Sequence, residues 1–373
     1  MDAKVCFVTP EFPPTTGGVA TSSDRIVQYL LASGLAVDVF TASPFYSNDV
    51  RVRKDTMERL TVYEIGTNRD QADHVFSNII ADVDLEKRFD VFHAFFLPLG
   101  KHFLPLLKNS DRPFIASARG SDAMYWMDDK YQGQSIRDVL MKASVITSVS
   151  NQIAVKIQNA IPRKDCKVIP NGVKQNEGIE WHPNNSNRGI VGTLCAIRPV
   201  KNIPHLIRSY SYIDKDSRRK LRILGFYEGS ITSINEQRAL IERRARVDHV
   251  QTELEITGLI GGKKKINELL GLGAFVLCSK WEGFPNSLLE AASLGIPIVA
   301  TDIGAVSGIL THGTNALIAP PKDPFALAKN IRKVLVDKSL SLKLSEGALN
   351  LAKKYDYETE LESWRDLYSG LLN

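Results

Sequence analysis

Short apolar runs of β type alternate with stretches of helical spacing along the whole chain, and the succession occurs twice. In the first half the strand-like runs are 4–9, 36–41, 61–65, 91–94, 114–117, 145–149 and 168–169, with helical stretches at 20–33, 73–87, 101–107, 134–142 and 152–159. In the second half strands at 189–194, 221–224, 255–257, 274–279, 298–301 and 316–318 alternate with helices at 203–213, 234–244, 265–271, 287–294, 324–336 and 340–353. Such alternation demands a mostly parallel sheet covered by helices on both faces. At 373 residues the chain exceeds one ordinary core. Two successions therefore predict two Rossmann-like α/β domains, each with its ligand side at the carboxyl ends of its strands. The break is expected at Pro170-Asn171-Gly172-Val173, where a polar stretch to Asn187 begins, giving domains 1–170 and 171–355. A last amphipathic helix is expected over 359–372, with Leu361, Trp364, Leu367 and Leu371 at helical spacing.

The charge is unevenly placed. Residues 1–170 carry 20 basic and 20 acidic side chains, so the net +5 lies entirely beyond them. A basic second half suits an anionic ligand, although the runs 215–222 and 238–246 also read as solvated faces. The four cysteines, Cys6, Cys166, Cys195 and Cys278, form no C-x-x-C pair and read as thiols in a reducing compartment. No apolar run approaches a membrane span, and the start at 5–8 is too short for a signal peptide, so a cytoplasmic protein is expected. The neutral first half and the lack of a basic amphipathic helix give no support for membrane docking.

The stretch 279–303, S-K-W-E-G-F-P-N-S-L-L-E-A-A-S-L-G-I-P-I-V-A-T-D-I, carries the most chemistry. It reads as a strand end, a tight Gly/Pro loop, a short helix and a buried strand. Glu282 falls in the loop, and Glu290, eight residues on, falls on the second turn of the helix. Asn286 or Ser287 could cap that helix, whose amides and dipole favour an anion. Two carboxylates suit ligand hydroxyls, and a diphosphate flanked by sugars meets both requirements.

This stretch resembles the E-x7-E motif of the retaining nucleotide-sugar glycosyltransferases of family 4, including G-F-P-N after the first Glu and E-A-A-S-L-G-I-P-I-V-A-T-D from the second. The resemblance covers nearly the whole chain and is strongest over 189–325. It implies the GT-B fold, two Rossmann-like domains facing a central cleft, with the C-terminal helix (356–373) returning to the N-terminal domain. It further implies an acceptor-side first domain and a nucleotide-sugar-binding second one. Glu290 would accept from the ribose hydroxyls. Glu282 and the amides of Gly283, Phe284, Asn286 and Ser287, with Leu288 at the helix start, would hold the sugar and β-phosphate.

Other segments fit the same pattern. Gly192-Thr193-Leu194 ends a strand and Arg198-Pro199-Val200-Lys201-Asn202 follows; a bidentate Arg and a point-charge Lys before a helix suit a diphosphate. They are similar to the family's donor-phosphate Arg and Lys, although Thr193 stands where many members place the Arg. Gly17-Gly18, in P-E-F-P-P-T-T-G-G, resembles the family's glycine loop beside the donor phosphates. Arg119-Gly120-Ser121-Asp122 is similar to its H-G-x-D segment at the sugar site, with Arg119 replacing the usual His. His93 falls where members often carry a strand-end His, though a lone His in an apolar run more often packs in a core.

The D-x-D triplets at 82–84 and 214–216 lie in or beside helical segments, so no metal or other cofactor is expected. Gly261-Gly262-Lys263 lacks the first glycine and the Ser/Thr of a phosphate loop. The reading is a retaining, metal-independent hexosyltransferase. It would move sugar from a UDP- or GDP-sugar to a glycan, lipid-linked or small-molecule acceptor. No carboxylate is placed as a nucleophile, and the resemblance implies front-face attack with the leaving phosphate as base. The alternatives are a catalytically silent nucleotide-sugar-binding protein, favoured by Thr193 and Arg119, and a nucleotide-sugar 2-epimerase of the same fold. No nucleic-acid partner is expected. Donor base, sugar, acceptor, linkage and oligomeric state are not legible.

Overall fold

The computed structural model describes residues 3–42, 51–66, 72–163, 165–176, 178–184 and 187–372. The chain divides into two compact units, Met1–Asn171 with Glu358–Asn373, and Gly172–Tyr357.

Unit 1 is built on β1 (Lys4–Thr9), β2 (Ala36–Ala42), β3 (Arg51–Met57), β4 (Leu60–Gly66), β5 (Val91–Ala94), β6 (Phe114–Ala118), β7 (Val145–Ser148) and β8 (Cys166–Val168). Their order across the sheet is β3-β4-β2-β1-β5-β6-β7-β8. Every pairing is parallel except β3 with β4. Strand β3 is absent from the sequence reading because its residues, R-V-R-K-D-T-M, have no apolar run. It forms the sheet edge, where charge guards against further pairing. The turn into β4 uses Glu58 at φ 31, without the Asn-Gly or Asp-Gly signal of such hairpins. The expected helix over 101–107 is instead a 3-10 helix, Leu97–Phe103, because Pro105 has no N–H to continue an α-helix.

Aromatic rings dominate this core. Phe7, Phe92, Phe95, Phe103 and Phe114 are all fully buried, with Phe103 edge-on to both Phe92 and Phe114. The helix Tyr357–Leu372 packs into the same core through Trp364, Leu367 and Tyr368. Its buried face centres on Glu360, Trp364 and Tyr368; Leu361 and Leu371, taken from spacing alone, are only half-buried. Tyr368 Oη lies 2.7 Å from His93 Nδ1, and Arg25 donates to both carboxylate oxygens of Glu360, at 2.6 and 3.2 Å.

His102, buried on the 3-10 helix, shares a hydrogen bond of 2.8 Å with Ser77 Oγ. Burial lowers its pKa from 6.5 to about 4, with Lys101 adding to the effect. A depressed pKa means that the unfolded chain takes up this proton first. His102 therefore contributes stability that is complete above pH ~6.5 and is lost as pH falls toward about 4. Urea midpoints measured between pH 7 and 4 should fall, and His102→Gln should flatten that slope; parallel slopes would refute the assignment.

Unit 2 holds β9 (Asn187–Leu194), β10 (Lys220–Leu224), β11 (Leu254–Ile256), β12 (Leu272–Leu277), β13 (Ile298–Thr301) and β14 (Leu317–Ala319). All pair in parallel, in the order β11-β10-β9-β12-β13-β14. Counted along the chain, this is the doubly wound Rossmann order 3-2-1-4-5-6. Strands β12 and β13 are buried along their whole length, and the helices that cover the sheet add Ile203, Leu206, Ile207, Leu327 and Ile331 to one core. The two ends of the unit are zipped together: Val173 N donates to Tyr355 O at 2.9 Å and Tyr357 N to Val173 O at 3.1 Å. Among the described residues, no helix is long and apolar enough to cross a membrane.

Candidate functional site

In a doubly wound sheet, ligands bind beyond the carboxyl ends of the two strands where the order reverses. In unit 2 those strands are β9 and β12, and the loops that leave them carry Arg198–Lys201 and Ser279–Glu282. The loops are fixed to each other. Lys280 N donates to Val200 O at 2.7 Å, and Asn202 Nδ2 reaches Cys278 O at 3.4 Å from a left-handed backbone (φ 54). From the other side Ile197 N donates to Phe226 O at 2.7 Å. Gly225 approaches so closely that a Cβ would stand 1.8 Å from Cys195 O, which excludes any other residue at that turn.

This scaffold brings Lys201 and Glu282 together. Lys201 Nζ lies 2.7 Å from Glu282 Oε1, and Ser279 Oγ donates to the same oxygen at 2.5 Å. Both charged side chains are largely buried. Arg198 stands more open, 3.6 Å from Glu228 Oε2. Burial holds the neighbouring thiols of Cys195 and Cys278 up at about 12, so both stay neutral and unreactive at physiological pH.

The helix after the loop runs Asn286–Ser293. Neither Asn286 nor Ser287 caps it, contrary to expectation: Pro285 is the capping position, no side chain closes the helix start, and Asn286 is already helical. The carbonyl of Pro285 takes the amides of Leu288 at 3.1 Å and Leu289 at 3.4 Å. Phe284 packs edge-on against Tyr355, and the Leu288 side chain is wholly buried, so Leu288 offers a ligand no more than its backbone. Glu290 sits on the second turn, paired with Lys265 at 2.5 Å and still partly open to solvent.

The candidates in unit 1 behave differently. Gly17 precedes the helix Gly18–Ala32, and a Cβ there would stand 2.8 Å from Glu11 Oε2. Glu11 O accepts from Thr9 Oγ1 at 3.0 Å and Ser23 Oγ at 2.8 Å, which folds this loop back onto the helix. His93 is fully buried, and its second nitrogen, Nε2, lies 2.7 Å from Ser117 Oγ. Desolvation holds its pKa well below 6.5. Both nitrogens of His93 are thus bonded to protein. Asp122, also fully buried, accepts from the amides of Leu97, Arg119, Gly120 and Ala123 at 2.6–3.1 Å. Its carboxylate thereby shapes the turn after β6. Arg119, partly buried, lies with its guanidinium over the Phe95 ring at 4.2 Å and bonds Asn171 Oδ1.

Comparison with known proteins bears on the chain as a whole. The Glycosyltransferase Family 4 model matches residues 16–177 and the Glycosyl transferases group 1 model matches residues 175–351. The chain belongs to the family 4 glycosyltransferases. The putative teichuronic acid biosynthesis glycosyltransferase TuaC of Bacillus subtilis is 25% identical over 359 residues, covering 88% of each chain. Among solved structures, sucrose-phosphate synthase from Thermosynechococcus elongatus superposes with TM-score 0.84 at 16% identity, covering 99% of both chains. Anabaena HepE in complex with UDP-glucose gives TM-score 0.79 at 16% identity, covering 98% of this chain and 99% of that one. The fold is GT-B, and this glycosyltransferase draws on nucleotide-sugar donors.

Three partners of the candidate residues escaped the sequence reading: Ser279, Glu228 and Lys265. Ser279 lies three residues before Glu282, a spacing with no meaning until the loop is folded. Lys265 ends the run Lys263-Lys264-Lys265, which in sequence is indistinguishable from a solvated cluster. The two D-x-D triplets have other uses. Asp84 holds Arg112 through two bonds, at 2.7 and 2.8 Å, and Asp214 accepts from Ser217 and Arg332.

Proposed function

We propose that this glycosyltransferase is a retaining, metal-independent hexosyltransferase that takes its sugar from a UDP- or GDP-sugar bound at the β9/β12 switch point. The acceptor would be a glycan or lipid-linked saccharide engaged by unit 1. The observation that carries the reading is the convergence of Lys201, Glu282 and an uncapped helix start on that crevice. Lys201, Arg198 and the helix amides would meet the diphosphate charge, which a metal supplies in other designs. Glu282 would accept from a sugar hydroxyl. The UDP-glucose bound by HepE makes UDP-glucose the first donor to test.

Glu290 is assigned to the ribose. It is partly open, and a diol whose hydroxyls donate to its carboxylate would compete with Lys265 for it. Losing a hydrogen bond to a charged group costs ~1.5–3 kcal/mol. Glu290→Ala should therefore weaken binding of UDP or GDP by about ten- to a hundredfold, leaving the unliganded fold intact. Calorimetric titration with both nucleotides decides this, and unchanged affinity for the two would remove Glu290 from the site. The whole reading is tested by a donor panel of UDP-, GDP- and ADP-sugars, scored for slow hydrolysis or an epimerised donor. Hydrolysis of one class supports transfer, an epimerised donor the epimerase alternative, and binding without turnover a silent protein.

A further inference from the structure

We infer that Glu228 is a positioning residue: it tethers the Arg198 guanidinium beyond the carboxyl end of β9, ready for the diphosphate of the donor. The inference rests on the reading of Arg198 as a phosphate contact and adds the residue that makes that contact effective.

The backbone brings the two side chains together. Past β10 the chain turns at Gly225 against Cys195 and then runs beside residues 195–197. Cys195 N donates to Leu224 O at 3.0 Å, Ile197 N to Phe226 O at 2.7 Å and Glu228 N to Ile197 O at 3.2 Å. Ile197 and Tyr227 form a parallel bridge, so the residues that follow them, Arg198 and Glu228, come side by side. Ile197 is fully buried, which fixes this register from within the core. Arg198 itself is extended, at φ -134 and ψ 161, the conformation that a following proline imposes. Backbone freedom is thus spent before any ligand arrives, and only the side chain remains to be held.

Glu228 is placed to hold it. Its Oε2 is shut off from water and accepts no hydrogen bond, although the side chain as a whole is 25% exposed. Among the described residues its one ion-pair partner is Arg198, whose Nε lies 3.6 Å away. A carboxylate oxygen buried without a hydrogen bond is costly, and a counter-charge fixed beside it offsets that cost. Nη1 and Nη2 of Arg198, the end-on edge of the fork, make no hydrogen bond among the described residues, and the side chain is 45% exposed. The Nε side therefore meets the protein, while the edge that suits two phosphate oxygens stays open. An untethered arginine would lose its rotamer freedom on meeting a phosphate, and the tether takes that loss beforehand. Lys201 needs no such help, since Glu282 already holds it at 2.7 Å.

Calorimetric titration of UDP and GDP into wild type, Arg198→Ala, Glu228→Ala and the double variant tests the tether. Removing a nearby negative charge would by itself tighten the binding of a diphosphate. Loss of the tether should instead weaken whichever nucleotide wild type binds, by about three- to tenfold in Glu228→Ala. Arg198→Ala should cost at least as much, and the double variant no more than Arg198→Ala alone. Glu228→Gln, which keeps an oxygen for Nε, should recover part of the affinity. Binding of the matching nucleoside, which carries no phosphate, and the thermal midpoint without ligand should be unchanged in every variant; a fall in both would mean a merely structural role and overturn the inference. Unchanged or tighter diphosphate binding in Glu228→Ala overturns it too, as does a loss that persists in full on the Arg198→Ala background. Arg198→Ala binding like wild type would instead strike the phosphate role on which the inference rests, and failure of wild type to bind either nucleotide would strike the donor reading itself.

Discussion

Lys201→Ala is expected to lower turnover by about 10²–10³, the cost typical of removing one pre-organised donor from a developing anion. In the proposed reaction Lys201 would meet the charge of the departing diphosphate; it lies 2.7 Å from Glu282, on a loop pinned through Val200 and Asn202. Arg198, more open and less constrained, should matter less. The same logic predicts that activity persists in excess EDTA, because this role would need no metal. Lys201→Arg restores charge without the compact ammonium that fits beside Ser279 and Glu282, and should recover only part of the rate. Steady-state turnover on a hydrolysed donor, with and without EDTA, supplies the measurement. A Lys201→Ala enzyme within tenfold of wild type would show that phosphate charge is met elsewhere.

Glu360→Ala should destabilise unit 1 by about 3–5 kcal/mol, the loss expected when one partner of a buried ion pair is removed. Arg25 and Glu360 are nearly inaccessible, and the truncation would leave two guanidiniums, Arg25 and Arg119, facing each other across Asn171. Removing both charges tells a different story. An Arg25→Met, Glu360→Leu pair keeps volume and removes both members of the pair, so it should cost less than either single change. Urea unfolding of the four proteins yields the coupling directly, and a single-mutant loss below ~1 kcal/mol would mean that water reaches the pair.

Periodicity made both sheets legible because their strands are buried on two faces and therefore read as unbroken apolar runs. β3 had no such signature, being a charged edge strand whose partner decides its conformation. The helix expected over 101–107 failed for a local reason, Pro105, that outweighed its apolar spacing. At the candidate site, Glu282, Glu290 and Lys201 were legible as motif positions. Their protein partners were not. Ser279 and Lys265 meet the two glutamates only through folded loops, and Glu360 was hidden on the face of a helix whose leucines suggested a different stripe. His93 and Asp122 show the converse: residues at motif positions whose polar atoms are already used by the fold.

The membership of Tyr357–Leu372 in the core of unit 1 has a consequence for biosynthesis. A ribosome releases this chain from the N-terminus, so all of unit 2, with its ends already zipped at Val173 and Tyr355, emerges ahead of the helix that unit 1 requires. Until that helix arrives, Arg25 lacks its carboxylate, His93 lacks the Tyr368 hydroxyl and the seat of Trp364 stands open to water. The half of the protein that is begun first is therefore completed last, and a chain cut just after Tyr357 would hold a finished second unit and an unfinished first one.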